Sequence, residues 1–417
     1  MTIGLFVKFS SKSIVKGQRG DHSMRIAIFT PFLYPFYVDM AKMLHDKTEV
    51  KVYTCGIYGN YPFKGLLTHR YVEVLKCIDI FGSKSLELTS LVRFTRFKPH
   101  VVIIFGVESV AGVMLYFLSR LIRAKTVVIV EENNITMHNS FILDFLQKLK
   151  IQIVKHIYEK APVLIAESNA SKRYVLEILH AKRNKPIMVR VHGIDTLKYL
   201  RLASMSKMQA KKMILRLWGL PEHLLTKKWL AFVGEPSYCK GIDVLIDAIE
   251  ILKENREINA KTIFFIPRMK ILRDKEELKE TYEQKLTELL KHGLVLLYQP
   301  VKPEYMPIFY RAMDAIVLPS RLLINASSDR APNVALEALA SGNILVASYA
   351  GGIPTIVGNT GILVKPNDPR ALAIALLKVL TSYEKYTHLE GKGRERAQRL
   401  LDTRLYLYDI IRILKEV

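Results

Sequence analysis

Residues 331–342 of the chain read APNVALEALASG and lie between two short apolar runs, Ala315–Leu318 and Ile344–Ala347. Pro332 stands where a helix would begin, because its fixed φ suits the first turn, and Gly342 stands where that helix would stop. A strand, a helix and another strand in this order form the repeating unit of a parallel β-sheet covered by helices. The stretch therefore predicts a doubly wound α/β domain, with a helix that starts near the carboxyl end of a strand.

The same alternation runs through the chain from Met24 onward, with amphipathic stretches between short apolar runs. In the first half the predicted strands are Arg25–Thr30, Val50–Cys55, Val101–Phe105, Lys125–Val130, Val163–Glu167 and Ile187–His192. In the second half they are Trp229–Val233, Ile263–Ile266, Leu294–Tyr298, Ala315–Leu318, Ile344–Ala347 and Ile362–Val364. Because 417 residues exceed what one hydrophobic core usually holds, we predict two α/β domains.

The domain boundaries are placed where this alternation stops. An N-terminal domain is predicted at 24–198 and a C-terminal domain at 229–385, with the polar, methionine-rich segment 199–228 between them. Residues 1–23 differ in pattern from the rest of the chain and are interpreted as a disordered extension or a mis-assigned start. The last stretch, 386–417, predicts one or two helices, for which packing back on the N-terminal domain is one arrangement.

The composition is that of an ordinary globular protein, with 50% hydrophobic and 24% charged residues. The cysteines, Cys55, Cys77 and Cys239, are odd in number and show no paired spacing. We therefore predict neither a disulfide framework nor a zinc site, and a reduced, cytoplasmic setting. The longest apolar run, 101–122, is interpreted as a strand, a turn and a helix rather than a membrane span.

The net charge is +23, and the excess is heavier in residues 1–200. Such a surface attracts anions, which include nucleic acid, anionic lipid headgroups and phosphorylated small substrates. A generally solvated basic surface is the plain alternative. No basic–aromatic RNA signature or DNA-reading module is recognisable, so a nucleic-acid partner is not expected. A dehydrogenase is disfavoured as well, because no Gly-x-Gly-x-x-Gly follows the first strand.

The helix start within 331–342 also carries a chemical signal. The backbone amides of Asn333 and Val334 would be free at a helix N-terminus, a position suited to phosphate oxygens. Asp329 lies just before this helix and Glu337 inside it, so both carboxylates can face the crevice at the strand end. The alternative is a capping Asp329 and a solvated Glu337.

Two loops with glycine follow other predicted strands of the same domain. Gly234 and Lys240 lie in one of them, which would bring a cation and backbone amides to an anion. Gly351 and Gly352 lie in the other, where they allow the backbone to approach a ligand closely. A simple tight turn is the alternative interpretation of this second loop. Together with the helix start, the loops predict a site for a phosphorylated ligand.

These segments together resemble the retaining glycosyltransferases of family 4, which have the GT-B fold: two Rossmann-like doubly wound domains that face a central cleft. The resemblance spans about 24–385, is densest after 230, and includes the segments 166–171, 191–196, 312–320 and 361–369. It implies transfer of a hexosyl unit from a nucleotide diphosphate sugar to a glycan or lipid-linked acceptor, with retention of the anomeric configuration. It implies no metal and no cofactor, since the nucleotide sugar is a substrate.

The resemblance also implies roles for individual residues. Glu337 matches the acid that holds the ribose hydroxyls of the nucleotide, and Asp329 matches the acid that holds hydroxyls of the donor sugar. Lys240 matches the lysine that neutralises the departing diphosphate. The amides of Asn333 and Val334 match the helix start beneath the distal phosphate, where fixed donors stabilise developing charge. Asp329 and Lys240 are therefore expected to take part in catalysis.

The chain departs from the family pattern near the expected diphosphate. Glu235 follows Gly234 where the family usually has arginine, so one cation is replaced by a carboxylate. Arg268 stands in the turn near the nucleobase and could supply part of the lost charge. His192 replaces the usual asparagine at the junction between the domains. These departures favour one alternative function, a catalytically weakened regulatory relative that still binds nucleotide sugar.

A further departure concerns the loop after strand Lys125–Val130, where the family often offers histidine near the anomeric carbon. The loop begins Glu131-Glu132 in this chain. We nominate Glu132 as a catalytic residue, with Glu131 as the near alternative, because the acid pair lies where donor and acceptor should meet.

The acceptor is expected to bind the N-terminal domain, which carries more of the excess charge. The apolar run Phe141–Ile157 is accompanied by basic residues, which suggests peripheral contact with the anionic inner face of a membrane. These residues are Lys148, Lys150, Lys155 and Lys160. A helix that packs in the core and exposes a basic face is the alternative.

Overall fold

The computed structural model describes residues 24–45, 48–56, 64–80, 83–130, 141–322 and 331–416. Two parallel β-sheets organise these residues into two α/β domains, which confirms the predicted fold class. The extension predicted at 1–23 lies outside the described residues, and so do Glu131, Glu132 and Asp329.

Among the described residues, the first domain has a sheet of seven parallel strands and a separate hairpin of two. Its strands are β1 (Met24–Thr30), β2 (Thr48–Thr54), β3 (Val72–Val74), β4 (Cys77–Ile80), β5 (Ser83–Leu86), β6 (Val101–Phe105), β7 (Lys125–Val130), β8 (Val163–Ala166) and β9 (Met188–Val189). The sheet runs in the order β3-β2-β1-β6-β7-β8-β9, while β4 and β5 form a separate antiparallel hairpin. Its helices are α1 (Pro35–His45), α2 (Leu88–Arg96), α3 (Val110–Leu121), α4 (Phe141–Lys160) and α5 (Asn169–Arg173), which a π-helical turn extends to Ile178.

Strand β6 illustrates how the sequence produces this sheet. All five of its residues, VVIIF, are buried, as expected for a parallel strand covered on both faces. After the turn, Ser109 begins α3 by accepting the amide hydrogen of Gly112 on its side-chain oxygen at 3.0 Å. The run 101–122 thus forms the predicted strand, turn and helix. Within the described ranges, no helix is long and apolar enough to cross a membrane.

In the second domain, the residues that the structure describes form six parallel strands in the order β12-β11-β10-β13-β14-β15. The strands are β10 (Lys228–Phe232), β11 (Thr262–Pro267), β12 (Val295–Tyr298), β13 (Ala315–Leu318), β14 (Ile344–Ser348) and β15 (Ile362–Val364). The remaining helices are α6 (Thr196–Leu200), α7 (Lys207–Trp218), α8 (Ile242–Lys253), α9 (Arg256–Lys261), α10 (Glu276–Lys291), α11 (Met306–Ala312), α12 (Asn333–Ser341), α13 (Ile353–Val357), α14 (Pro369–Thr381), α15 (Tyr383–Tyr386), α16 (His388–Leu400) and α17 (Thr403–Glu416).

Helix α7 lies in the segment that separates the two predicted domains, and it packs into the core of the second sheet. Ala210, Ile214 and Leu215 are buried there together with residues of β10 and β13. Lys211 of the same helix donates to the buried carboxylate of Asp314 at 2.6 Å, which also accepts the backbone amide hydrogen of Trp229 at 2.8 Å. These contacts fix α7 against the amino edge of the sheet.

The chain passes between the domains twice, and the two passages are hydrogen-bonded to each other. The amide of Ile194 donates to the carbonyl oxygen of Leu401, and the amide of Thr403 donates to the carbonyl oxygen of Ile194, both at 2.9 Å. The hydroxyl of Thr196 donates to the buried carboxylate of Asp402. After the second passage, α17 buries apolar side chains against the first sheet: Tyr406, Leu407, Ile410 and Leu414.

All the strands predicted from sequence are present, with small shifts at their ends. The largest change is at Ile187–His192, where only Met188–Val189 pairs with β8. The pattern missed β3, β4 and β5, which read VEV, CIDI and SKSL. Strands of three or four residues with polar positions carry too little periodicity to separate them from loops.

Cys55 and Cys77 form a disulfide, so the prediction that no cysteines pair was wrong for these two. Cys55 follows β2, Cys77 begins β4, and their Cα atoms are 5.7 Å apart, within the usual range for a disulfide. The odd count concealed the pair because the third cysteine, Cys239, lies in the other domain. The reduced setting inferred from that count therefore loses its basis.

Reduction of this bond is expected to lower the free energy of unfolding by about 3 kcal/mol, because the bond closes a loop between residues separated by 22 positions. Urea denaturation with and without reductant measures the change. A Cys55→Ser/Cys77→Ser variant should match the reduced wild type and be insensitive to reductant, whereas Cys239→Ser should keep the full effect. Alkylation of three thiols in the unreduced, unfolded chain would contradict the assignment.

Candidate functional site

The candidate site lies at the carboxyl edge of the second sheet, where the loops after β10 and β13 touch. Gly241 has φ +71°, and a Cβ at this position would lie 2.0 Å from the carbonyl oxygen of Pro319. Only glycine fits such a close approach of two backbones at positive φ. The amide of Arg321 also donates to the carbonyl oxygen of Cys239 at 3.0 Å. These two backbone contacts join the loop 233–241, which we call the Lys240 loop, to the end of β13.

Helix α12 begins at the same edge and presents free donors. Pro332 precedes the helix, and its carbonyl oxygen accepts the amide hydrogens of Ala335 at 3.0 Å and Leu336 at 3.5 Å. In the part of the chain that the structure describes, the amides of Asn333 and Val334 have no acceptor. This arrangement is the one predicted from sequence, and it suits an anion with several oxygen atoms.

The loop after β10 differs from its prediction. Lys240 is half-buried there, and its backbone amide donates to Ser237 Oγ at 3.3 Å. The amides of Tyr238 and Cys239 donate to the carboxylate of Asp274 at 2.8 and 3.3 Å. The sequence predicted that backbone amides of this loop would face an anion. For Tyr238 and Cys239 this was wrong, because Asp274 accepts their amide hydrogens. No sequence pattern pointed to Asp274, which lies in another loop.

A second cation, Arg321, was missed by the sequence analysis. Its guanidinium pairs with the buried carboxylate of Asp243 and lies 4.1 Å from the ring centroid of Tyr238. The available signal was its position directly after β13, at the carboxyl edge of the sheet. Because Asp243 neutralises it, Arg321 anchors α8 to the end of β13 more than it adds charge to the site.

Three other predicted residues border this edge. Gly234 is exposed and has φ +113°, a conformation that favours glycine. Glu235 is half-buried beside it. Arg268 is exposed after β11, and its amide donates to the carbonyl oxygen of Tyr298 at 2.7 Å. All the described residues that were predicted for the donor site therefore lie in the second domain: Gly234, Glu235, Lys240, Arg268, Asn333, Val334 and Glu337. The predicted site residues Asp329 and Glu132 lie outside the described residues.

Glu337 faces two tyrosines rather than lying alone in the crevice. Its Oε2 accepts the hydroxyl hydrogen of Tyr310 at 2.7 Å, and the hydroxyl of Tyr199 on α6 also donates to this carboxylate. Burial raises the pKa of Glu337, and the two hydrogen bonds oppose part of that rise. Glu337 is therefore hydrogen-bonded both to α11 and to α6, where the chain enters the second domain.

Glu337→Gln is expected to flatten the pH dependence of stability. Because the folded-state pKa of Glu337 lies above its unfolded value, the folded chain holds this proton more tightly, and the stability contribution falls as pH rises through that pKa. Urea denaturation at pH 5 and pH 8 should show a smaller difference in the variant than in the wild type. Glu280→Gln, on the exposed face of α10, serves as the control and should leave the difference unchanged. An unchanged difference for Glu337→Gln would contradict this account.

Buried polar residues connect the two domains beside α12. His192 Nδ1 lies 2.9 Å from Glu167 Oε1, and its Nε2 lies 2.9 Å from Asn333 Oδ1. The amide of Asn169 donates to the hydroxyl of Thr355 on α13 at 3.2 Å. The first domain therefore contacts the second through the loop after β8 and the segment after β9. Sequence analysis singled out His192 as a departure but did not pair it with Glu167.

In the first domain, the predicted membrane-facing lysines divide into two groups. Lys148 and Lys160 are exposed, while Lys150 and Lys155 are half-buried, and burial lowers the pKa of Lys150. These lysines belong to helix α4, which contributes Val154, Ile157 and Tyr158 to the core of the first domain. The helix is thus a core-packing element with a basic outer face.

Comparison with known proteins relates this edge to a family. Residues 221–396 match the model of the glycosyl transferases group 1. A D-inositol 3-phosphate glycosyltransferase of Corynebacterium efficiens is 34% identical over 169 residues, which cover 40% of this chain and 37% of that protein. An uncharacterized glycosyltransferase of Methanocaldococcus jannaschii is 27% identical over 230 residues, which cover 54% and 52%. The chain thus spans about two fifths to one half of the length of these curated relatives.

The solved structure of Anabaena HepE in complex with UDP-glucose superimposes with a TM-score of 0.70 at 18% identity and covers 94% of this chain and 100% of that chain. At this identity the likeness shows the fold. The two parallel-sheet domains have the GT-B fold.

Proposed function

We propose that the protein is a glycosyltransferase that binds a nucleotide diphosphate sugar at the carboxyl edge of its second sheet. The observation that carries the proposal is the pair of free amides, Asn333 and Val334, at the start of α12, on the sheet edge that also holds the Lys240 loop. This edge lies within residues 221–396, the part that matches the glycosyl transferases group 1.

The proposed chemistry depends on stabilising a leaving group. The bond between the anomeric carbon and the diphosphate breaks, and a bond to an acceptor oxygen forms on the same face of the sugar. The departing phosphate oxygen takes the acceptor's proton, so the second domain needs no separate base. The amides of Asn333 and Val334 and the ammonium of Lys240 stabilise the negative charge that develops, which requires no metal. We assign the donor hydroxyls to Asp329 and Glu337, and Glu132 keeps its predicted catalytic role where donor and acceptor meet.

The substrate classes are also part of the proposal. A hexosyl donor is supported by the UDP-glucose bound to HepE, a structure with the same fold. A phosphorylated acceptor is supported by the inositol phosphate specificity in the name of the Corynebacterium efficiens relative and by the basic excess of the first domain. Glycan and lipid-linked acceptors belong to the same proposal, with a peripheral, cytoplasmic position at a membrane for the latter. The Cys55–Cys77 disulfide is the observation that weighs against a reducing compartment.

A second candidate is a regulatory relative that binds the donor but does not turn it over. Two observations favour it: Glu235 places a carboxylate beside the site, and Asp274 takes two amides of the Lys240 loop. Tight binding of a nucleotide sugar with no release of nucleoside diphosphate, across acceptors that bind, would support this candidate.

The enzyme proposal is tested by donor turnover. Purified chain is incubated with uridine, guanosine and adenosine diphosphate sugars and a panel of inositol phosphate, glycan and lipid-phosphate acceptors. Acceptor-dependent release of nucleoside diphosphate, with an α-linked product from an α-linked donor, supports transfer with retention. A product with inverted anomeric configuration would rule out the retaining mechanism. If no donor–acceptor pair releases nucleoside diphosphate, the regulatory candidate is favoured.

A further inference from the structure

A cluster of Glu167, His192 and the half-buried Asn333 crosses from the first domain to the helix start that we assign to the distal phosphate. Glu167 follows β8 and His192 follows β9, and both are only 7% exposed. The imidazole contacts a carboxylate oxygen on one side and Asn333 Oδ1 on the other, each at 2.9 Å. The ring of Phe36 covers it, with the ring centroids 4.5 Å apart. The imidazole is therefore held in one orientation.

The two partners of the imidazole define what each nitrogen can do. A carboxylate only accepts, so Nδ1 donates its hydrogen to Glu167. Nε2 faces the side-chain amide of Asn333 and can donate a hydrogen on this side when the ring is protonated. Asn333 is the first residue of α12, and its backbone amide is one of the two free donors.

We infer that His192 is a phosphate-binding residue that the first domain contributes to the donor site. This inference rests on the proposed function. When a diphosphate occupies the α12 start, Nε2–H transfers its hydrogen bond from the amide oxygen of Asn333 to a phosphate oxygen, which is the stronger acceptor because it is charged. Glu167 keeps the ring oriented, and its carboxylate together with the bound phosphate favours the imidazolium form.

This role concerns the positive charge near the proposed diphosphate position in the second domain. The loop after β10 carries Glu235, and Arg321 is neutralised by Asp243, so Arg268 is the further cation of this domain that the sequence assigns to the site beside Lys240. His192 adds a donor from the first domain at this edge, so the proposed donor site includes residues of both domains.

The test compares two side chains of similar volume at position 192. Calorimetry measures the dissociation constants of uridine, guanosine and adenosine diphosphates and of the matching monophosphates. His192→Leu removes the N–H donor and should weaken the best-bound diphosphate about tenfold, while the monophosphate changes less than about twofold. His192→Gln keeps an N–H donor and should stay within about threefold of the wild type for both. Glu167→Gln/His192→Leu replaces the single variant if the unpaired Glu167 prevents folding.

Thr355→Val is the matched control, because it removes a different hydrogen bond between the domains, the one from the amide of Asn169, and should leave the diphosphate affinity within twofold of wild type. Equal affinities of wild type and His192→Leu, equal losses for diphosphate and monophosphate, or an equal loss in Thr355→Val would overturn the role of His192. A wild type that binds no nucleoside diphosphate would overturn the proposed function as well, so the two failures are distinguishable.

Discussion

Lys240→Ala is expected to lower kcat/KM for the nucleotide-sugar donor by about 10²- to 10³-fold, the range found when one fixed donor to a developing anion is removed. Lys240 is half-buried in the loop that Gly241 presses against Pro319, so its position is set by the backbone. Initial rates of nucleoside diphosphate release measure the effect.

Lys365→Ala provides the matched control, since its side chain is 79% exposed and pairs with Asp368 only at 3.9 Å. Its kcat/KM should equal that of the wild type. A Lys240→Ala variant whose kcat/KM stays within about threefold of the wild type would remove Lys240 from the leaving-group site and would favour Arg268 as the cation that serves it.

Gly193→Ala is expected to destabilise the chain by about 4 kcal/mol or more, which is exceptional for a single substitution. Gly193 has φ +72°, and an added Cβ would lie 2.7 Å from the carbonyl oxygen of Leu401 and 2.8 Å from backbone atoms of Asp402 and Thr403. These atoms belong to the second passage between the domains, and backbone atoms do not move aside as a side chain would. Urea denaturation measures the loss.

Gly219→Ala separates the two causes of this loss. Gly219 ends α7 with φ +63°, and nothing among the described residues lies within 4 Å of an added Cβ. The variant therefore carries the cost of positive φ alone, about 1 kcal/mol. Equal losses at the two positions would mean that the passages between the domains separate easily, and would contradict the close contact at Gly193.

The fold was predictable because parallel strands are buried on both faces and their apolar runs need no partner to be recognised. The run VVIIF of β6 and the helix boundaries at Pro332 and Gly342 are local signals, and the structure has both. The Cys55–Cys77 disulfide was not predictable in this way. It depends on where β2 ends relative to a hairpin, which only the tertiary arrangement decides.

The positions of the segments that form the candidate site were predictable to the same extent. Helix α12 and the Lys240 loop are local strand–loop–helix patterns, and they lie at one sheet edge as expected. The contacts that modify them come from distant segments: Asp274 takes loop amides, Tyr199 and Tyr310 hold Glu337, and Glu167 holds His192. No spacing in the sequence links these residues, because their proximity is produced by the packing of separate elements.

The central claim is that the second domain holds a nucleotide diphosphate between the Lys240 loop and the start of α12. Calorimetric titration of the full chain with uridine, guanosine and adenosine diphosphate sugars tests it most directly. We expect at least one donor to bind with a dissociation constant between about 1 μM and 1 mM, the usual range for enzyme substrates, and to bind more weakly to Lys240→Ala. A full chain that binds none of these donors, while its urea denaturation shows that it is folded, would contradict the account.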